Sequence, residues 1–475
     1  MTAQYIAFHA TERPDAVAVI DNGRNITYRE FARDIRKFTS ALRAFDLPPG
    51  SKAAINCDDA YFGWLMRLAF EQLRVVTATM QLPDTPGALS LLQNFDIVLS
   101  ARSFSAGSPR RFHPATTAWL QSVLHSGEED REPAPEPRPD DPIRIVLTSG
   151  TTGTPKKLLL TRRHHEALIA RTLWFGGFTR HSRYLLALRS TVSGPAACIR
   201  AGGTAVLEER MPVGQAIATH AITHTTLPPF ILKHVLDELP DGFAKPTELT
   251  ILSFGAGISR ALRDRALARL ATDVCDIYSS NEVEFVSAAR GTAEIGTIWP
   301  GVRVEVVGQD DRPLPFGLAG QIRVQTECML NGYLDDLEAT QRIFRGGWFY
   351  PGDVGILHDA RRLQVIGRSD DILNIGGKKI APEVIEDLVI KAVEGGDIGV
   401  CSLRNADGVE EICIAVSHAR TADAELLQRI TDAFRPLQLG WFNIVKVPHI
   451  PRTANGKLQR KALKEIISVS VHGGH

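Results

Sequence analysis

Between Leu147 and Lys157 the chain reads Leu-Thr-Ser-Gly-Thr-Thr-Gly-Thr-Pro-Lys-Lys, directly after Ile143-Arg144-Ile145-Val146-Leu147, which reads as a strand. Thr148, Ser149, Thr151 and Thr152 offer hydroxyls. Gly150 and Gly153 let the backbone turn tightly with its amides exposed, and Lys156 brings positive charge. Such a loop could surround a phosphate. It is not a Walker A loop, because Pro155 precedes Lys156 and Lys157 follows it, where that pattern requires Gly-Lys and then Ser or Thr. A polar turn after a buried strand accounts for the same composition, so the loop alone leaves both readings open.

Further residues able to do chemistry occur in short clusters. In chain order these are Tyr278-Ser279-Ser280-Asn281-Glu282, then Gly347-Trp348-Phe349-Tyr350-Pro351-Gly352-Asp353, then Gly367-Arg368-Ser369-Asp370-Asp371. Ile375-Gly376-Gly377-Lys378-Lys379 with Pro382-Glu383 follows, and Pro451-Arg452-Thr453-Ala454-Asn455-Gly456-Lys457 comes last. With the hydroxyl-rich loop, these clusters resemble the motifs of the acyl-adenylate-forming superfamily, which contains acyl-CoA synthetases, nonribosomal peptide adenylation domains and firefly luciferase. A softer resemblance runs from Thr27-Tyr28 to Leu463, so it covers nearly the whole chain.

The resemblance implies an α/β fold: a large N-terminal adenylate-forming domain of layered sheets and helices over 1–369, and a small mobile α+β domain over 370–475. It also implies a reaction in which a carboxylate is joined to the α-phosphorus of ATP, pyrophosphate leaves, and the acyl group passes from AMP to a thiol. The expected cofactors are ATP, Mg²⁺ and coenzyme A or the phosphopantetheine arm of a carrier protein. Lys457, Glu282 and Thr152 are the expected catalytic residues, with Glu282 also the Mg²⁺ ligand, a role suited to a hard cation that takes one or two carboxylates beside phosphate oxygens. Thr148, Ser149, Gly150, Thr151, Gly153 and Lys156 would hold the β- and γ-phosphates. Tyr278 would stack on adenine opposite a thin wall of Gly255, Ala256 and Gly257. Asp353 would accept the ribose hydroxyls, and Arg368 would bind ribose or phosphate oxygens. Asp370 falls at the family's hinge, and Gly376 and Gly377 would line a pantetheine tunnel.

The chain also departs from the family pattern. Pro351 stands where the family has Thr, removing a hydroxyl and a backbone donor. Lys157 stands where it has Gly and either adds charge near the phosphates or, the favoured reading, points into solvent. Thr191 occupies a His position, so His-based pocket features do not carry over. Amino-acid-activating relatives place an Asp in this region, yet no acidic residue occurs between Arg183 and Leu207. An unpaired buried ammonium is costly, which disfavours a free α-amino acid. Thr191, Val192, Leu227, Phe230, Phe254 and Val283, with Phe285, are candidate walls of an apolar acyl or aryl pocket. The leading reading is an acid–CoA ligase, with transfer to a carrier protein as the nearest alternative and a non-catalytic nucleotide-binding protein as the second.

These residues need a scaffold of matching size. At 475 residues the chain exceeds what a single core supports, about 250–300 residues, so at least two domains are expected. Equal numbers of basic and acidic side chains, 54 each, give no electrostatic case for nucleic acid or an anionic membrane as partner. A small-molecule carboxylic acid is the expected partner, with an acyl carrier protein as a further one. With neither a secretory leader pattern nor a run of roughly 18 apolar residues, a cytoplasmic location is expected. Six scattered cysteines signal neither zinc nor disulfides, so reduced and mostly buried thiols are expected.

Alternating β-branched runs and helical patterns read as α/β layers around a mostly parallel sheet. Leu249–Phe254 and Val274–Ile277 read as strands. Arg162–Trp174, with Ala167, Leu168, Ala170 and Trp174 on one face, and Arg260–Leu270 read as helices. Glu128–Pro142, rich in Glu, Asp and Pro, reads as a surface loop. After Asp370, helices over Pro382–Val393 and Asp423–Phe434 and strands over Asp397–Leu403 and Glu411–Ser417 form the small unit. The tail from Val469 to His475 is expected to fray.

Overall fold

The computed structural model describes residues 2–80, 92–102, 111–127, 138–148, 156–188, 192–369, 371, 373–375, 378–380, 382–390, 393, 396–404, 410–418, 423–434, 442–453, 456 and 458–472. Among them, aliphatic runs build a six-stranded sheet, a fifteen-stranded sheet, a three-stranded sheet and a two-stranded hairpin. In the six-stranded sheet Phe112–Pro114, Ile97–Ser100, Lys52–Asn56, Val76–Thr79 and Pro142–Thr148 run parallel. Lys156–Thr161 closes its edge antiparallel to Pro142–Thr148. The helix Tyr28–Arg43 packs against the helix Ala60–Gln72 and starts at a capping box in which Thr27 and Glu30 satisfy each other's backbone amides.

Six strands of the fifteen-stranded sheet meet the parallel expectation. Val17–Asp21, Thr204–Leu207, Arg183–Leu185, His224–Thr226, Thr250–Phe254 and Asp273–Ser280 are mutually parallel neighbours. Beyond Asp273–Ser280 the sheet continues antiparallel through Glu284–Arg290, Gly296–Ile298, Arg362–Arg368, Asp353–Asp359 and Ala319–Gln325. This corrects the mostly parallel reading. Short links such as the one between Ser280 and Glu284 cannot make the long crossover a parallel pair needs.

The helix after the phosphate loop runs Arg162–Gly176, but a strand intervenes and its buried face differs from the one expected. His165, Ile169, Thr172 and Phe175 are buried, whereas Ala170 and Trp174 are exposed, Trp174 by 68%. Polar His165 and Thr172 occupy core positions here, which hides the true stripe from a hydropathy reading. The strand Asp273–Ser280 extends three residues beyond the expected Ile277 and carries Tyr278 within it.

Near the C-terminus, Asp397–Arg404 pairs antiparallel with Glu410–Ser417, which pairs in parallel with Phe442–Lys446. Helices Pro382–Ile390, Asp423–Phe434 and Arg460–His472 accompany this sheet. Leu373, Ile385, Val389, Val400, Ile414 and Ile430 form its core. The last helix reaches His472, correcting the expectation that the chain frays from Val469. Of the acidic, proline-rich stretch, residues 128–137 lie outside the described residues, and Pro142 already opens a strand. Cys198, Cys275, Cys328, Cys401 and Cys413 are buried, Cys57 is half-buried, and all are free thiols. Among the described residues no helix is long and apolar enough to cross a membrane.

Candidate active site

The ends of the hydroxyl-rich loop are held in register by the sheet edge, where Thr148 pairs with Lys156 and Leu147 with Lys157. Lys156 projects its ammonium over the ring of Tyr333, 4.6 Å from the centroid. The Tyr333 hydroxyl donates to Glu282 Oε1 at 2.8 Å. One aromatic side chain thus links the loop lysine to the carboxylate expected to hold the metal. Tyr333 was not singled out from the sequence; its signal is the preceding Gly332, at φ 144°, whose missing Cβ leaves room for Thr340. Thr340 Oγ1 in turn accepts from Tyr333 N at 2.9 Å. Lys157 does not point into solvent: its side chain is only 18% exposed, its ammonium is 3.9 Å from Asp335, and its carbonyl accepts from Leu334 N at 2.8 Å.

Glu282 sits in the turn between Asp273–Ser280 and Glu284–Arg290 and is buried, with its carbonyl accepting from Leu330 N at 2.9 Å. Two residues on, Glu284 is also buried, at a left-handed φ of 63° that is uncommon outside glycine. Burial pushes its carboxyl up to about 8, with Arg171 opposing the shift and Glu282 adding to it. Arg171 clamps this hairpin by donating to Phe285 O at 3.0 Å, Val283 O at 3.4 Å and Thr326 Oγ1 at 3.1 Å.

The side expected to take the nucleotide is built at the carboxyl ends of two parallel strands, where open α/β sheets bind ligands. After Thr250–Phe254 comes the exposed turn Gly255-Ala256-Gly257, and Gly255 needs its glycine because φ is 90°. Ile258 N donates to Asp276 Oδ2 at 3.3 Å, which Arg263 Nη2 also reaches at 3.0 Å, so Asp276 anchors the turn. Burial raises the Asp276 carboxyl to about 6 against the opposing pull of Arg263. On the neighbouring strand the Tyr278 hydroxyl donates to Asp353 Oδ2 at 2.6 Å. Arg368 Nη1 reaches Asp353 Oδ1 at 3.3 Å and Pro351 O at 2.5 Å. The carbonyl of Pro351, the residue departing from the family pattern, therefore helps to orient Arg368. Replacing Tyr278 with Phe removes a hydrogen bond to a carboxylate, a loss of about 1.5 kcal/mol. The expected result is a roughly tenfold rise in the dissociation constant for ATP by calorimetry; an unchanged constant would exclude Asp353 orientation as the role of this hydroxyl.

Among the candidate acyl walls, Phe254 and Phe285 share one apolar cluster, whereas Leu227 and Val283 belong to two others. Leu227 is fully buried among Val206, Leu232 and Ile251, and Val283 is 1% exposed among Val286, Ile298 and Val324. Both side chains are packed within apolar core clusters. Phe254 is half-buried against the cluster of Ile169, Phe175 and Phe285, and Val192 precedes the helix Ser193–Arg200. Phe230 is 38% exposed and faces Arg452 and Gly456. Ser149, Gly150, Thr151, Thr152, Gly153, Thr191, Asp370, Gly376, Gly377 and Lys457 lie outside the described residues. Their flanks are described: Ile375 pairs with Lys378 around positions 376 and 377, and Arg452 pairs with Leu458 around position 457.

The residues present fit a magnesium ion. Tyr333 occupies only Oε1 of Glu282, and among the described residues Oε2 has no hydrogen-bond partner. No group of three or more His, Cys, Asp or Glu able to hold a metal exists among the described residues. A single carboxylate completed by phosphate oxygens and water is the mode Mg²⁺ favours.

Comparison with known proteins places the chain in a family. The chain is 24% identical to a fatty acid–[acyl-carrier-protein] ligase, MmaC, of Mycobacterium marinum, covering 98% of this chain and 97% of that one. It is also 24% identical to an indoleacetate–CoA ligase of Aromatoleum aromaticum, with 98% of each covered. The fold superposes on the anthranilate CoA ligase AuaEII in complex with anthranoyl-AMP with a TM-score of 0.86 at 17% identity, covering 100% of this chain and 98% of that one. The family model described as AMP-binding enzyme matches residues 6–334. With the match extending over more than half its length, the chain belongs to the AMP-binding enzyme family.

Proposed function

We propose that the protein is an ATP- and Mg²⁺-dependent ligase that activates an apolar carboxylic acid as its adenylate and transfers the acyl group to the thiol of coenzyme A. The observation that carries this reading is the joining of Lys156, Tyr333 and Glu282 on one side and of Tyr278, Asp353 and Arg368 on the other. Two polar chains of this kind suit the phosphates and the ribose of one nucleotide.

A carboxylic acid with a pKa of roughly 4–5 is already ionised at neutral pH, so the first step needs no general base. One carboxylate oxygen attacks the α-phosphorus, the α–β bridging oxygen leaves with pyrophosphate, and the mixed anhydride remains. Two anions must meet, and the chain supplies charge and fixed geometry. Thr148, Ser149, Gly150, Thr151, Thr152, Gly153 and Lys156 would hold the β- and γ-phosphates, and Glu282 would hold Mg²⁺, which would supply charge neutralisation there. Asp353, fixed by Tyr278 and Arg368, accepts the ribose hydroxyls, and Lys457 bridges the attacking oxygen and the α-phosphate. The thiol, its proton passing to solvent, then attacks the acyl carbon; the C–S bond forms as the acyl C–O bond to AMP breaks, and Gly376 and Gly377 would line the path of the incoming arm. We place the domain boundary at 369/370, supported by the separation of the C-terminal sheet and hairpin from the larger sheets.

A second reading, delivery to a carrier protein, draws support from two exposed apolar side chains of the C-terminal helices, Val384 at 47% and Leu427 at 52%. The test is pyrophosphate release from ATP and Mg²⁺ with acetate, butyrate, octanoate, palmitate, benzoate and phenylacetate, with and without coenzyme A. Acid-dependent release with a CoA thioester as product is the expected result. Release with no CoA product would favour the carrier, and silence throughout would overturn ligase activity on these acids.

A further inference from the structure

The loop that carries Lys457 is organised by Arg452. Its guanidinium forks onto Asp397 through Nε at 3.0 Å and Nη2 at 2.8 Å, and Nη2 also donates to Ile398 O at 3.1 Å. Nη1 donates to Gly456 O at 3.2 Å, and Gly456 N donates to Thr453 O at 2.8 Å. The residue immediately before Lys457 is thus tied to the start of its own loop.

This organised loop rests on a residue from the other end of the fold. Arg452 lies over the ring of Phe230, 4.7 Å from its centroid. Gly456 presses on the same side chain: a Cβ added there would lie 2.6 Å from Phe230 Cβ and 2.6 Å from Cδ1. Gly456 is therefore glycine for two reasons, its φ of 77° and the ring against it. Phe230 follows Pro228-Pro229 near the start of the helix Pro229–Glu238, and at 38% exposure it contributes little to that helix's core. An aromatic face stacked under a guanidinium already paired to a carboxylate makes a directional seat, because the planar cation is held in one orientation before it docks.

We propose that Phe230 is a positioning residue for adenylate formation, the seat on which Arg452 and Gly456 set the Lys457 loop, and not a wall of the acyl pocket. The proposal rests on the reading of Lys457 as the adenylation lysine. Small misplacements of a reacting group can cost about a hundredfold, so loss of the ring should act on turnover and not on substrate binding.

The experiment compares wild type, Phe230→Ala and Phe230→Tyr in two half-reactions, using whichever acid of the panel above gives most pyrophosphate. For adenylation, Phe230→Ala is expected to lower kcat about tenfold with little change in KM for ATP or acid, and Phe230→Tyr to restore it. Thioester formation from the preformed acyl-adenylate and coenzyme A should be unchanged in all three. A rise in the KM for acid with kcat intact would overturn the proposal and return Phe230 to the acyl pocket. Equal losses in both half-reactions would also overturn it, as would no loss. Amide hydrogen exchange at Gly456 is measured alongside, without substrate. Faster exchange in Phe230→Ala supports the seat even if wild type is silent on every acid, whereas unchanged exchange overturns it. Failure of the ligase reading and failure of the seat thereby give different results.

Discussion

Replacing Glu71 with Leu should destabilise the protein by about 3–5 kcal/mol, the cost of removing one partner from a buried ion pair. Glu71, on the helix Ala60–Gln72, is 1% exposed, and its Oε1 lies 2.7 Å from Nη2 of Arg144 on the strand that leads into the hydroxyl-rich loop. One helical turn earlier, Arg67 is also buried, with no hydrogen bond or ion pair among the described residues. Burial pushes Arg67 down to about 9, Arg144 adds to the shift, and Glu71 opposes it. His165 is held well below its usual range by burial and by both arginines, so it adds no third positive charge. Glu71 thus pairs directly with Arg144 alone and acts on Arg67 only through its field, and its loss leaves Arg144 buried and unpaired in a low-dielectric interior. Arg67→Met should behave differently, near neutral or stabilising, because it removes a charge that has no partner and keeps most of the volume. Urea unfolding followed by tryptophan fluorescence reads both variants, with Trp64 on the same helix as reporter. Similar losses in the two would sink the account, since Arg67 would then have to be paired.

The parts of the site legible in the sequence are those whose chemistry is carried by neighbours along the chain. Tyr278, Asp353 and Arg368 each announce themselves by a short local pattern, and their side chains meet in one hydrogen-bonded row. The strand Thr250–Phe254 and the helices Arg260–Arg269 and Asp423–Phe434 follow from apolar runs bounded by turn or cap signals. What escaped depends on contacts between distant segments. Tyr333 looks like any loop tyrosine until its hydroxyl reaches Glu282, fifty-one residues away in sequence. Leu227, Val283 and Phe230 are similar apolar residues by type; two were taken up by core clusters and one by a loop more than two hundred residues later. The buried face of Arg162–Gly176 was misread because His165 and Thr172 occupy it. In each case the tertiary partner decides the role, and periodicity carries no record of it.

Lys457→Ala should lower the adenylation rate about 100- to 1,000-fold, the range found when one preorganised donor to a developing charge is removed, about 2.7–4 kcal/mol. The attacking carboxylate and the α-phosphate are both anionic, and their approach raises negative charge on the phosphoryl oxygens. The other cations of the site stand elsewhere: Lys156 lies over Tyr333 beside Glu282, and Arg368 is spent on Asp353 and Pro351. A further mobile ammonium is needed at the reacting atoms, and Lys457 directly follows the residue seated on Phe230. If that is its task, the loss falls on kcat for pyrophosphate release, while the dissociation constant for ATP moves little. Transfer from a preformed acyl-adenylate to the thiol, in which no two anions are brought together at phosphorus, should keep its rate. Lys457→Arg separates charge from geometry: it retains the positive charge but replaces a compact ammonium with a planar fork, and should recover only part of the rate. Equal losses in both half-reactions, or a change confined to the KM for ATP, would show Lys457 to be a general phosphate-binding residue and not the bridge of the adenylation step.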